Sequence, residues 1–447
     1  MLWGVYAVGY TLYTTIYDDV FKIRGVYGFM VLDSRGNPTV GVRVTTQGLG
    51  VGIAYAPSGA STGKHEAVEL RDRGEEFGGK GVSKAIENVN KVIGPAIKDM
   101  DSRRQWEIDH KMIEIDGTPN KSRLGGNAIV ATSLAVAKAA ASTLEIPLYM
   151  YLGGYTANTL PVPMLNIING GVHAGNKLDF QEFMIVPAGF NSFSEALRAS
   201  VEIYHVLRNI LKNRYGLSAI NVGDEGGYAP PLENISEALD LLVEAIREAG
   251  YDPGSEVALA LDVASSQLYI EERNVYRVEE KELSRDEMIE LYRELIDAYP
   301  IVSIEDPLYE EDFEGFVELT KNIGNKVLVV GDDLFTTNPE RLSKGISIGA
   351  GNAVLVKVNQ IGTLSETIEV VKLAFRNNYK AIISHRSGDT EDPCIADLAV
   401  GLGTGLIKTG APARSERTVK YNRLLEIERS LEKPYYPGFT VFPAKPH

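Results

Sequence analysis

Apolar and polar residues change their rhythm twice along this chain. From about residue 22 to 55 they alternate singly: Val40, Val42 and Val44 are separated by smaller or polar residues, and Asp33-Ser34-Arg35-Gly36-Asn37-Pro38 interrupts them. A period of two predicts half-buried strands, and the interruption predicts a turn. Residues 56–64, Ala-Pro-Ser-Gly-Ala-Ser-Thr-Gly-Lys, offer a core almost nothing and predict a mobile loop. Helical spacing then takes over. Val82, Ile86, Val89, Val92 and Ile93 predict a helix over 82–98, followed by helices over 103–115 and the Ala-rich 126–144. Strands followed by helices predict a small α+β cap domain over residues 23–153. Gly153-Gly154 and the stretch to Pro161 and Pro163 read as a linker.

Beyond residue 161, short apolar runs alternate with longer amphipathic stretches. Each run ends in a polar residue: Asp262, Glu305, Asp332, Lys357, Ser384-His385 and Lys408. Successive ends lie 23 to 28 residues apart, except for 43 between Asp262 and Glu305. Repeats of about 25 residues suit strand–loop–helix units, and a series of them predicts a TIM-like β/α barrel over 161–447, hence an α/β chain. A doubly wound open sheet is the runner-up, but no Gly-x-Gly-x-x-Gly follows the first strand. The length of 447 residues allows roughly three domains at about 150 residues each; the pattern reduces them to two.

Composition narrows the function. With 45 Lys+Arg against 60 Asp+Glu the net charge is −15. Such a surface repels phosphate backbones and anionic lipid, so nucleic acid and membrane surfaces are poor partners. An anionic substrate stays open, because a cation can reverse the field inside one cleft. The single cysteine, Cys394, excludes an intrachain disulfide and reads as a buried filler. Residues 1–17 carry no charge, lack the basic segment and cleavage site of a signal peptide, and hold too many Tyr and Gly for a spanning helix. Residues 1–22 therefore read as a peripheral extension, and the protein as cytoplasmic.

Chemistry concentrates at the barrel's strand ends. Asp262, Glu305 and Asp332 end three consecutive runs, and neighbouring strands lie about 4.8 Å apart, so the three carboxylates converge. Their mutual repulsion calls for a hard divalent cation, and Mg²⁺ suits one to three carboxylates plus substrate oxygens. Lys357 ends the next run. Beside cations in a closed cleft its pKa is expected to fall, making it a candidate general base. Ser384-His385-Arg386-Ser387 supplies donors suited to a phosphate, and Lys408 suits a second anionic group.

Several runs resemble the enolase family: Asp33–Thr39, Ser58–Gly63, His173–Asn176, Gln181–Met184, Gly223–Gly227, Ser303–Pro307, Gly331–Leu334, Leu355–Gly362, Ser384–Ser387 and Lys408–Arg417. The resemblance spans roughly residues 23–430 in order, far beyond one short pattern. It implies Mg²⁺-dependent, reversible dehydration of 2-phosphoglycerate to phosphoenolpyruvate in glycolysis and gluconeogenesis. It implies that Asp262, Glu305 and Asp332 hold one Mg²⁺ and that Ser61 reaches a second when its loop closes. Lys357 would take the C2 proton, and Glu225, with Glu182 beside it, would protonate the departing C3 hydroxyl. His173, Gln181 and His385 would contact the substrate, Arg386 and Ser387 its phosphate, and Lys408 its carboxylate. A homo-oligomer, dimer or octamer, is also implied.

The pattern departs at two positions. Enolases usually carry Glu where this chain has Gly41, and often Arg where it has Glu426. These two groups pair across the family's dimer interface, so that ion pair is lost here. Another dehydratase of the same superfamily fits less well, since its members need no phosphate seat. A non-catalytic enolase-like binding protein would tolerate loss of these residues, yet all of them are present. His65, His110 and His205 read as packing residues, and Asp224 and Asp333 as groups that orient their neighbours.

Overall fold

The computed structural model describes residues 19–59, 63–171 and 174–446. They form two compact units. The first joins residues up to Gly154 with two later segments, Val358–Ile368 and Gly388–Cys394; the second holds the rest.

In the first unit, strands β1 (Ile23–Leu32), β2 (Pro38–Thr46) and β3 (Val51–Tyr55) form an antiparallel sheet in that order. The predicted turn joins β1 to β2, and Asp33 Oδ1 accepts the N–H groups of Arg35 and Asn37, each at 2.9 Å. The Ala-rich helix Gly126–Thr143 lies on the sheet. Gly52 permits its close approach, because a Cβ there would meet the Ala135 carbonyl oxygen at 2.0 Å. The helix expected over 82–98 opens into a π-turn at Val89–Ile93. Pro95 follows and has no N–H to offer the preceding turn.

Residues 1–18 of the expected extension lie outside the described residues. Val20–Lys22 do not stand apart: Phe21 is buried, Val20 accepts from Gly48 N–H, and Lys22 accepts from Gln47 N–H. Gly41 lies under the Phe29 ring, which would sit 2.8 Å from a Cβ at that position. The later segment 388–394 is tied into this unit by Lys138, whose ammonium reaches both oxygens of Asp392 (2.6 and 2.7 Å) and the Ile53 carbonyl.

The second unit is the expected barrel. Eight strands close on themselves: β4 (Val162–Asn169), β5 (Glu182–Val186), β6 (Ala258–Asp262), β10 (Ile301–Glu305), β11 (Leu328–Gly331), β12 (Ala353–Val356), β13 (Lys380–Ser384) and β14 (Leu406–Lys408). The six runs read from the sequence are the last six of these. The uniform βα repeat needs one correction: β5 runs antiparallel to both β4 and β6, and among the described residues no α-helix separates β4 from β5. Two helices, Phe193–Tyr215 and Ile235–Glu248, follow β5 instead. The 43-residue interval holds a small antiparallel sheet, β7 (Tyr269–Ile270), β8 (Val275–Val278) and β9 (Lys281–Leu283). Cys394 is buried, as expected of a filler.

Asp109 gives this architecture a pH signature. Its carboxylate is fully buried and accepts from Gln105 Nε2 and from the Ser365 N–H, each at 3.0 Å. Burial pushes its pKa up to about 6, against hydrogen bonds from Ser133, Ser365 and Gln105. Below about pH 4 the folded and unfolded chains both hold this proton; between about 4 and 6 only the folded chain does. Stability of the wild type relative to Asp109→Ala should therefore fall by on the order of 3 kcal/mol as pH rises through that window. Urea denaturation of both proteins at pH 4 and 7 measures it; a pH-independent difference refutes it.

Candidate active site

Sheet register assembles the site. Asn169 pairs with Glu182, Glu182 with Asp262, and Asp262 with Glu305, so one ladder line carries three carboxylates across β5, β6 and β10. Across the barrel sheet, Ser384 pairs with Lys408. The Lys408 ammonium reaches Asp262 Oδ2 (2.9 Å), both Glu305 oxygens (2.9 and 2.8 Å) and Glu182 Oε1 (3.2 Å). All four residues are buried. Burial opposes the Lys408 charge, but Asp262, Glu182 and Glu305 hold its pKa well above the usual lysine range.

Each acidic neighbour responds differently. Burial, then Glu225, Asp262 and Glu305, lift Glu182 well above the carboxylate range. Burial, then Asp262, lifts Glu305 likewise. Burial also works against charge on Asp332, yet its contact with the Lys357 ammonium holds it below the usual range. The Lys357 pKa is raised among the protein's own charges. Burial disfavours its charge and Arg386 and Lys408 repel it, but the Asp332 carboxylate beside it outweighs them.

On the other side of Glu182, the Glu225 Oε2 accepts from Asn166 Nδ2 at 3.0 Å and lies 3.4 Å from His385 Nε2. The Gly-rich loop around Glu225 is held by Ala411 N–H, which donates to the Glu225 carbonyl at 2.9 Å. Gln181 Nε2 donates to Asp262 Oδ2 at 3.3 Å. Ser384, at the end of β13, and Arg386 and Ser387, in the turn after it, are buried. The structure thus brings together Gln181, Glu182, Glu225, Asp262, Glu305, Asp332, Lys357, His385 and Lys408. Ser61 and His173 lie outside the described residues.

Five buried carboxylates, Glu182, Glu225, Asp262, Glu305 and Asp332, face the cations Lys357, Arg386 and Lys408. That excess of oxygen donors and negative charge fits a hard divalent cation. Among the described residues, the acidic trio whose oxygens lie within 4.8 Å of one another is Asp306, Asp332 and Asp333. Lys408 stands among Asp262, Glu305 and Glu182 instead. Asp306 is committed to the backbone: its two oxygens accept the N–H groups of Asp332 (2.8 Å) and Asp333 (2.9 Å). It shapes the turn that aims Asp332. The sequence reading did not single it out, although it follows Glu305 directly in the Ser303–Pro307 run. Asn166 was missed because Pro161 and Pro163 read as a linker, whereas β4 starts at Val162.

Comparison with known proteins decides the family. Residues 23–152 match the family described as Enolase, N-terminal domain, and residues 157–443 match Enolase, C-terminal TIM barrel domain. The chain belongs to the enolase family. It is 61% identical over 428 residues to the enolase of Pyrococcus furiosus, covering 96% of this chain and 98% of that protein. It is 63% identical over 410 residues to that of Methanopyrus kandleri, covering 92% and 96%. With the enolase of Methanocaldococcus jannaschii it shares 59% identity over 421 residues, covering 94% and 98%. Enolase is a hydro-lyase, so the chain is an enzyme of that class, and the family implies a divalent metal. The Glu426 departure has a local partner, Arg423, at 2.8 Å on its own helix. Among the described residues no helix is long and apolar enough to cross a membrane.

A divalent ion that binds the folded carboxylates should stabilise the fold by mass action. Saturating Mg²⁺ is expected to raise the unfolding temperature of the wild type above its value in EDTA. Asp262→Asn and Glu305→Gln should fold and lose most of that rise. An unchanged rise in both variants would remove these residues from the metal site.

Proposed function

We propose that this chain catalyses the reversible dehydration of 2-phosphoglycerate to phosphoenolpyruvate, with Asp262, Glu305 and Asp332 as the ligands of one Mg²⁺. A second Mg²⁺, bound with substrate, would be held by Ser61. When bound, the metal supplies electrostatic stabilisation of the charge that builds on the substrate carboxylate, and it takes up the Asp332 charge that otherwise keeps Lys357 protonated. The observation that carries this reading is the single buried cluster in which a strand-end lysine, an acid pair and three carboxylates meet.

Within that cluster the chain's residues divide the work. Lys357, once neutral, accepts the C2 proton; Arg386 and Lys408 favour the neutral form. Glu225 delivers a proton to the leaving C3 hydroxyl. Glu182, lifted by burial and by Glu225, shares that proton at neutral pH. Ser384, Arg386 and Ser387 seat the phosphate, with Arg386 as the fixed cation. Lys408 takes the substrate carboxylate, and Gln181, His173 and His385 orient the rest. The two steps match the usual acid–base separation, in which each group contributes about 10²–10⁴-fold.

We also infer a cytoplasmic homo-oligomer, dimer or octamer, acting in glycolysis and gluconeogenesis, with domains 23–153 and 161–447. The ion pair expected across a family dimer is replaced at both of its positions, by Gly41 and Glu426. An exposed pair contributes only about 0–1 kcal/mol, so its loss is compatible with association.

A coupled 2-phosphoglycerate assay with and without EDTA tests the reaction, and no Mg²⁺-dependent phosphoenolpyruvate would end this reading. Lys357→Ala should abolish exchange of the C2 hydrogen with solvent. Glu225→Gln should keep that exchange while losing dehydration by at least about 10²-fold. Equal loss of exchange in both variants would refute the division of roles.

A further inference from the structure

Arg417 leads the fully buried side chains by volume, with 0% exposure. A guanidinium out of water is costly unless its N–H groups find acceptors. From the helix Ser415–Ser430 it reaches several. Nη1 donates to His385 Nδ1 and to the Arg386 carbonyl, each at 2.6 Å. Nη2 donates to the Ser387 carbonyl at 2.6 Å and to the Asp224 carbonyl at 3.0 Å. Its Nε lies 3.5 Å from Glu416 Oε1. One cation thus spans the turn 385–387 and the loop that presents Glu225. Gly410 makes the space: a Cβ there would meet Arg417 Cδ at 3.0 Å and His385 Cε1 at 3.1 Å.

The chemistry of this contact is one-sided. A guanidinium has only donors and keeps its proton at any physiological pH. His385 Nδ1 must therefore be the acceptor, and a nitrogen that accepts here carries no hydrogen. The geometry assigns Arg417 as the positioning residue that fixes the tautomer of His385, keeping the ring neutral with its proton on Nε2. That Nε2 lies 3.4 Å from Glu225 Oε2. The ring turns an N–H rather than a lone pair toward the proposed acid, so it has no lone pair there with which to strip the proton meant for the C3 hydroxyl. Asn166 donates to the same oxygen from the other strand. The assignment of the tautomer rests on geometry alone; its consequence for proton delivery rests on the enolase reading above.

The direct test is ¹⁵N NMR of the full-length protein labelled at histidine, with the His385 signals identified by their loss in His385→Gln. The expected spectrum at pH 7 is that of a neutral ring protonated on Nε2. A ring protonated on Nδ1, or on both nitrogens, overturns the inference. Arg417→Lys keeps the charge but cannot serve four acceptors. In that variant His385 should leave the pure Nε2–H form, and dehydration should fall by about 10²-fold while C2 exchange falls less. Equal losses in both reactions, with the tautomer unchanged, also overturn it. Should Arg417→Lys not fold, the wild-type spectrum still decides. A wild type that makes no phosphoenolpyruvate refutes the enolase reading, whatever the tautomer.

Discussion

One ammonium among three carboxylates is the constraint on which the barrel's interior depends. Glu182, Asp262 and Glu305 are consecutive Cα partners across three strands, so parallel and antiparallel pairing alike push their charges together. Lys408 sets one ammonium within about 3 Å of all three of these buried carboxylates. Removing one partner from a buried ionic cluster typically costs about 3–5 kcal/mol. The same cluster makes the site responsive to ions, since Glu182 and Glu305 carry raised proton affinities that another cation can satisfy instead. Stability has been given up locally so that charge stands ready.

Around this centre, support comes from groups that do no chemistry themselves. Asp306 spends both oxygens on the turn that holds Asp332, and Arg417 spends its N–H groups on the turn after β13. Glu182, Asp262, Glu305 and Lys408 stand at strand ends and are packed beneath by barrel core, which holds them more tightly than loops would. Two proposed functional positions are also covalent junctions. Lys357 is directly followed by the segment 358–368, and Ser387 by 388–394, and both segments pack within the first unit.

How much of this was legible in the chain depends on whether the signal was local. Six barrel strands were readable because each is an apolar run with a polar end. β4 was obscured by Pro161 and Pro163, residues that usually argue against a central strand. The antiparallel β5 left no mark, since the direction of a short buried strand is not written in its apolar pattern. The carboxylate trio was legible from its place at the strand ends. The contact of Lys357 with Asp332 was not, because the two lie 25 residues apart and meet only in the fold.

The sequence by itself determined the two-part architecture, the family and the set of candidate chemical groups, because periodicity and motifs are properties of neighbours along the chain. Only the tertiary structure decided which charge meets which. It placed Lys408 among Glu182, Asp262 and Glu305, turned Asp306 toward backbone, and set Arg417 against His385. The physical reason is range. Hydrogen bonds and desolvated ion pairs act over a few ångströms, and the ladder register and helix packing alone bring residues tens to hundreds of positions apart within that distance.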